Sequence, residues 1–267
     1  MQPKPKHLGP DYAAQFQDAA VVAAYPTRPP YPAEVFEILA GLVTTEPRIA
    51  LDVGCGTGDV ARRLAPMLAR LDAVDLSRRM IEYGMLLPGG DAPNLRWIVG
   101  AAENAPLEPP YALITAGESL HWMDWPVVMP RLANALAPDA YLAIVGRSEE
   151  PSPWSDDLLR LIVRYTTNRD FQPYNLISEL ESRGLFTKSG ERGTAPIPVE
   201  QSVDDYIESI HSRNGFSRDR MRPEDAAAFD AGVRELVAPH VRNGVLLLRV
   251  SAMVVWGVPV SAPEKHP

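Results

Sequence analysis

Three glycines, Gly54, Gly56 and Gly58, fall at every second residue directly after the apolar run Leu51-Asp52-Val53. Nineteen residues past Gly56, an acid, Asp75, closes a second short run, Leu71-Asp72-Ala73-Val74. Glycine takes positive φ and has no Cβ, so this spacing lets a backbone turn sharply and approach a ligand closely. In nucleotide-binding α/β folds an acid at the end of the second strand hydrogen-bonds ribose hydroxyls. The two signals together predict a nucleoside-cofactor loop with Asp75 as the ribose ligand. A dinucleotide loop reads G-x-G-x-x-G and keeps a helix N-terminus for the pyrophosphate. This chain reads G-x-G-x-G, which speaks against a dinucleotide.

The stretch LDVGCGTG, with AVDLS after it, resembles the class I S-adenosylmethionine-dependent methyltransferases. A second segment, Leu113-Ile114-Thr115-Ala116-Gly117-Glu118-Ser119-Leu120-His121-Trp122, resembles the methyltransferase type 11 or trans-aconitate methyltransferase-like subset, with its His-Trp pair just past a strand. The resemblance implies an α/β fold: a Rossmann-like, seven-stranded, mostly parallel sheet with an antiparallel last strand, helices on both faces and a helical cap. It implies S-adenosyl-L-methionine as cofactor and S-adenosyl-L-homocysteine as product. The cofactor-binding residues it implies are Tyr25, Arg28, Asp52, Gly54, Cys55, Gly56, Gly58, Asp75, Leu76, Met80, Ala102, Glu103, Gly117, Glu118 and His121. Within that set, Ala102 and Glu103 are expected against the adenine, Glu118 at the ammonium, and Arg28 in a forked pair with the carboxylate. One departure stands out. Where the family has an acid before the fourth strand, this chain has Tyr111-Ala112-Leu113-Ile114.

Methyl transfer from a sulfonium is an in-line displacement, and the protein mainly has to aim the methyl group. A carboxylate acceptor needs no base, whereas a phenol, alcohol or protonated amine must lose a proton. His121 is the candidate general base, because an ordinary imidazole titrates near neutrality. His211 and Arg213 are further catalytic candidates, and Arg213 or Arg147 would pair with an anionic group on the substrate. The expected activity is methylation of a small-molecule acceptor, a natural product or a carboxylic acid, with oxygen the favoured atom. Two other readings stay open: the same fold running a non-methylating dehydration or cyclisation, or a cofactor-binding regulator without turnover.

The elements that must position these residues alternate. Strands are predicted at 48–53, 71–75, 95–99, 112–116 and 140–145. Helices are predicted at 33–43, 58–69, 77–85 and 125–137, with Ser77 capping the third. Strands alternating with helices imply a parallel sheet covered on both faces. Beyond Gly146, helical stretches at 155–165, 176–182 and 203–211 suggest a cap over the carboxyl edge of the sheet. The segments 193–201 and 245–258, with a helix at 224–237 between them, read as the last two strands. The expected organisation is an N-terminal lid segment (1–32), a cofactor-binding core (33–150), a helical cap with a late strand (151–240), and a final strand and tail (241–267). The segment Tyr25-x-x-Arg28-Pro29-x-Tyr31-Pro32 belongs to the lid.

Composition bounds the rest. Of 267 residues, 26 are Lys or Arg and 34 are Asp or Glu, a formal charge of −8. A phosphate backbone calls for a basic stripe, so nucleic acid is not an expected partner. No apolar run reaches membrane-spanning length, and a cytoplasmic location is expected. A homo-oligomer is left open. The single cysteine, Cys55, lies in the glycine loop, so no intrachain disulfide forms. No metal site is expected.

Overall fold

The computed structural model describes residues 4–260. The first residues of the expected lid, 1–3, and the expected tail, 261–267, lie outside the described residues. Two short helices, α1 (Pro10–Ala13) and α2 (Ala19–Ala24), precede α3 (Glu34–Gly41). The buried residues of α3 are Val35, Phe36, Ile38 and Leu39, the apolar face that its spacing predicts. The alternation follows: β1 (Ile49–Val53), α4 (Ala61–Leu64), β2 (Arg70–Asp75), α5 (Arg78–Met85), β3 (Leu95–Val99), β4 (Tyr111–Gly117), α6 (Trp125–Ala135) and β5 (Leu136–Glu149). Ser77 caps α5, accepting from the Met80 amide at 3.4 Å. The helix predicted at 58–69 is shorter, because Pro66 has no amide hydrogen to donate and the chain tightens into a 3-10 turn over Ala65–Met67.

The remaining elements are α7 (Ser155–Tyr165), α8 (Leu176–Ser182), β6 (Phe186–Gly193), β7 (Ile197–Ser202), α9 (Val203–His211), α10 (Pro223–Val237) and β8 (Val245–Pro259). The strands form one sheet in the order β3-β2-β1-β4-β5-β8-β6, and β7 also pairs with β8. Strands β1 to β5 are parallel, and β8 is antiparallel to β5, β6 and β7. Seven positions across the sheet thus hold eight strands. The outer position is shared, since β7 pairs Val245–Val250 and β6 pairs Met253–Pro259 of the same long strand.

Burial explains the two halves of this sheet. β1 and β4 are buried along nearly their whole length, as parallel strands covered on both faces must be. β8 alternates instead: Leu246, Leu248 and Val250 are buried while Leu247 is 62% exposed. The first half of β8 packs its inner face on a cluster that contains Ile207 and Ile210 of α9 and Phe229 and Val233 of α10. Two further clusters cover the parallel strands, one with α3 and one with α6. β1 lies between β2 and β4, so the strand order reverses there and a crevice opens beyond the carboxyl ends of β1, β2 and β4. Among the described residues no helix is long and apolar enough to cross a membrane.

Candidate active site

The crevice is walled by the loop after β1. Gly54 has φ +64° and Gly56 φ +55°, values that L side chains rarely adopt. A Cβ on Gly54 would stand 2.5 Å from the Ser119 Cβ, and one on Gly56 would meet the Tyr25 ring at 3.4 to 3.6 Å. The loop therefore closes against both the strand-4 turn and the N-terminal segment.

Asp75 joins this loop to the next helix. Its Oδ2 accepts from the Gly56 amide at 2.8 Å and its Oδ1 from the Ser77 amide at 2.7 Å. Burial raises the Asp75 pKa above the usual carboxylate value, and these two amides work against the rise. A carboxylate offers about four lone-pair sites, so capacity remains on the side that lines the cleft.

The cleft has a volume of about 790 Å³ including its open mouth. Tyr25, Gly54, Gly56, Asp75, Leu76, Met80, Ala102, Glu103, Gly117 and Glu118 line it, ten of the expected cofactor residues. Leu76 is 57% exposed on the rim. Glu103 has one oxygen committed, accepting from the Asp124 amide at 2.8 Å. Ser119, whose hydroxyl donates to the Val53 carbonyl at 2.6 Å, lines it as well. Phe16 and Trp122, with ring centroids 5.4 Å apart, line it too. Neither was in the expected set, though both lie in segments whose aromatic content marks them.

Five expected residues stand off this cleft. Gly58 has φ +79°, but a Cβ there would sit 2.4 Å from Trp97 Cη2, so its smallness serves the packing of a ring behind the loop. Asp52 is 1% exposed and accepts from the Thr115 hydroxyl at 2.8 Å. Burial pushes its pKa up to about 7 against that hydrogen bond, and the charge of Asp75 adds to the rise. Cys55 is buried beside the same small void as Asp52, and burial pushes its thiol pKa up. Arg28 does not present a free fork: Nε donates to Ser212 Oγ at 2.8 Å and Nη2 to the Ser212 carbonyl at 2.6 Å. Its guanidinium lies 4.2 Å from the Tyr25 ring centroid, a cation–π distance.

His121, the fifth, stacks against Trp122 at 4.7 Å and faces a second cavity that shares Glu118 and Ser119 with the cleft. Burial drops its pKa to about 4, even though Glu118 pulls the other way. At neutral pH the ring is uncharged, and a pKa this low weakens it as a proton acceptor. His211 is corrected more strongly. It is 1% exposed, with Nδ1 2.7 Å from the Phe216 carbonyl and Nε2 2.7 Å from Asp230 Oδ1, so both nitrogens are spent inside the cap. Arg213 pairs with Glu149 on the rim of a third cavity.

Glu118 sits where the three cavities meet. It has φ +51°, and it bonds Arg147 Nη2 at 2.9 Å and lies 3.9 Å from Arg28. Burial alone would raise its pKa, but Arg147 and Arg28 outweigh burial and hold it below the usual value. Ala112, where the family has its acid, is buried among apolar residues, while its neighbour Tyr111 meets a buried acid of β2. Tyr111 donates its hydroxyl to Asp72 at 2.7 Å, and Arg96 binds the same carboxylate at 2.9 and 3.0 Å. Among the described residues no group of His, Cys, Asp and Glu is placed to hold a metal ion.

A glycine loop facing an acid across the switch point of this strand order is the arrangement of a nucleoside-binding α/β domain. Residues 50–139 match the family model described as a methyltransferase domain. Over 104 residues the chain is 36% identical to malonyl-[acyl-carrier protein] O-methyltransferase of Halalkalibacterium halodurans, covering 36% of this chain and 38% of that one. Over 111 residues it is 32% identical to trans-aconitate 2-methyltransferase of Methylobacterium radiotolerans, covering 40% and 41%. The chain thus spans about two fifths of the length of these relatives. In three dimensions it is similar to a protein of Anaeromyxobacter dehalogenans assigned to the type II methyltransferases, with TM-score 0.62, 22% identity, and 88% and 99% of the two chains covered. It is also similar to a Haemonchus contortus phosphoethanolamine N-methyltransferase, with TM-score 0.53, 15% identity, and 94% and 60% covered. These two likenesses concern the fold.

Proposed function

We propose that this chain is an S-adenosylmethionine-dependent methyltransferase that esterifies a carboxylate on a small acid. The observation that supports it most is the Asp75 carboxylate held by the Gly56 amide at the floor of the cleft, which leaves lone pairs for two vicinal ribose hydroxyls. In this reading Ala102 and Glu103 border the adenine, Tyr25, Gly117 and Glu118 the methionine end, and Phe16 and Trp122 cover the bound molecule. S-adenosylmethionine supplies an electrophilic methyl group on a sulfonium. The chain's own residues orient it and keep water out.

The state of His121 favours an acceptor that arrives ionised. A ring with its pKa near 4 takes a proton poorly from a phenol or an alcohol, whereas a carboxylate needs no help. The relatives whose names specify malonyl-[acyl-carrier protein] and trans-aconitate agree with an acid as acceptor. The carboxylate oxygen forms the new bond to the methyl carbon, the carbon–sulfur bond breaks with its electron pair on sulfur, and no proton moves.

Calorimetric titration with S-adenosylmethionine tests the first half of this reading: absence of heat at millimolar cofactor rejects it. The second half predicts that methyl ester and S-adenosylhomocysteine form in equal amounts. It also predicts that kcat shows no inflection between about pH 6 and 8, where an ordinary histidine base titrates. A rate that rises through pH 6.5 would show a base at work.

A further inference from the structure

The second cavity, the one His121 faces, has a volume of about 1650 Å³ including its open mouth, against about 790 Å³ for the cleft. The two share Glu118 and Ser119, so a molecule lying in the second reaches the edge of the first. Its floor is bare sheet. Ile144 and Gly146 of β5 stand opposite Val255 and Met253 of β8, and all four line the cavity. Residues paired in this way share one face of a sheet. Ile144 and Val255 belong to the apolar cluster on which α6 packs, with Leu176 and Ile177 of α8 at its margin. One step further along the strands the helix cover ends: a Cβ on Gly146 would meet nothing within 4 Å among the described residues, and Met253 is 44% exposed. The result is an apolar trough with Leu176 and Ile177 as its wall.

The trough runs across the strands. From Glu118, just past β4, through β5 and β8 to Glu191 on β6 there are three inter-strand steps, about 14 Å in all, the length of an extended chain of roughly ten carbons. Charge falls at its two ends. Near the cleft Glu118 is matched by Arg147 at 2.9 Å, while at the far end Lys188 is spent on Glu191 at 2.8 Å and Glu181 adds a further acid. The far end therefore repels a second carboxylate, and the floor between favours hydrocarbon. We propose that the trough takes the body of the acceptor, a monocarboxylic acid with an extended apolar chain, and that Gly146 sets the chain length by leaving the floor open. This rests on the methyltransferase reading above. Hydrocarbon seated on the floor sets the carboxylate beside Glu118 and Ser119, at the edge of the cleft. A short acid gains no such hold.

The full chain is first loaded with S-adenosylhomocysteine, then titrated with butyrate, with octanoate, and with octanedioate, which adds a carboxylate at the far end of octanoate. Methyl ester formation from S-adenosylmethionine is measured in parallel. Each buried methylene is worth about three- to fourfold, so octanoate is expected to bind and react roughly 30- to 200-fold better than butyrate. Octanedioate is expected to fall about tenfold or more below octanoate. Gly146→Leu stands a side chain on the floor and is expected to lower kcat/KM for octanoate about tenfold or more, and for butyrate less, with S-adenosylhomocysteine affinity changed less than about threefold. Met253→Gln keeps the shape but makes the floor polar, at a cost to octanoate of about three- to tenfold. It carries the comparison should Gly146→Leu fail to fold, as its melting curve would show. Butyrate equal to octanoate, octanedioate equal to octanoate, or a chain-length preference untouched in the variants overturns the proposal and leaves the cofactor reading standing. Octanoate bound with that preference but never esterified overturns the acid acceptor, here and in the reading this rests on, while the cofactor stays. Failure of the initial loading overturns everything.

Discussion

At the residue scale, two carboxylates on adjacent strands have been given opposite tasks by their surroundings. Asp75 lines the cleft and is met by two amides, whereas Asp52 is buried and accepts from the Thr115 hydroxyl. Asp75→Ala should therefore cost about 1.5–3 kcal/mol of S-adenosylmethionine affinity, the value of a hydrogen bond to a charged group, read by calorimetry. Unchanged affinity would remove Asp75 from the site. For Asp52 the sign runs the other way. Its folded-state pKa of about 7 lies above the ordinary value of 3.8, so the native state holds a proton that the unfolded chain has lost between those two values. Stability is then fully present at low pH and falls as pH rises through 7. Asp52→Asn keeps an acceptor for Thr115 and carries no charge to desolvate, so it should melt higher than the parent at pH 8 and near it at pH 4. A gap that fails to widen with pH contradicts the assignment. The glycines and Asp75 were legible in the sequence because backbone shape and strand-end placement are local properties. The fate of Arg28 was not, since its partner Ser212 is 184 positions away.

At the scale of elements, legibility followed burial pattern. α7, α8 and α9 appear with the bounds their periodicity predicts, and β8 announces itself by apolar density. β6 was missed, because an edge strand reading Phe-Thr-Lys-Ser-Gly-Glu-Arg-Gly buries only Phe186 and shows no alternation to detect. The parity of β8 can be tested directly. Leu248 is 2% exposed against the cap and its neighbour Leu247 is 62% exposed. Leu248→Ala should lose about 2–5 kcal/mol in urea unfolding, and Leu247→Ala less than about 0.5 kcal/mol. Equal losses would mean the strand is seated with another register. The shortened helix after the glycine loop has a comparable origin: Pro66 was visible, but its effect on the last turn depends on what the turn packs against.

At the scale of the whole molecule, the parallel sheet was predictable from the alternation of elements, and the three-cavity arrangement around Glu118 was not. That arrangement depends on the N-terminal segment, the ends of β4 and β5, and the turn after α9 arriving at one point from distant parts of the chain. If the cleft takes the cofactor in the native state alone, ligand and folding are linked. S-adenosylhomocysteine at a hundred times its dissociation constant should stabilise the chain by about 2.7 kcal/mol, a rise of several degrees in melting temperature. A melting temperature indifferent to ligand would mean that the cleft does not bind it.

β8 is the one strand that serves both halves of the molecule, its beginning under α9 and α10 and its end between β5 and β6. A hinge there would break the ladder, so the two halves are tied along a single strand. If the cleft holds the cofactor as proposed, the aromatic pair Phe16 and Trp122 borders it from segments that β8 does not anchor, and any opening for ligand exchange falls to them.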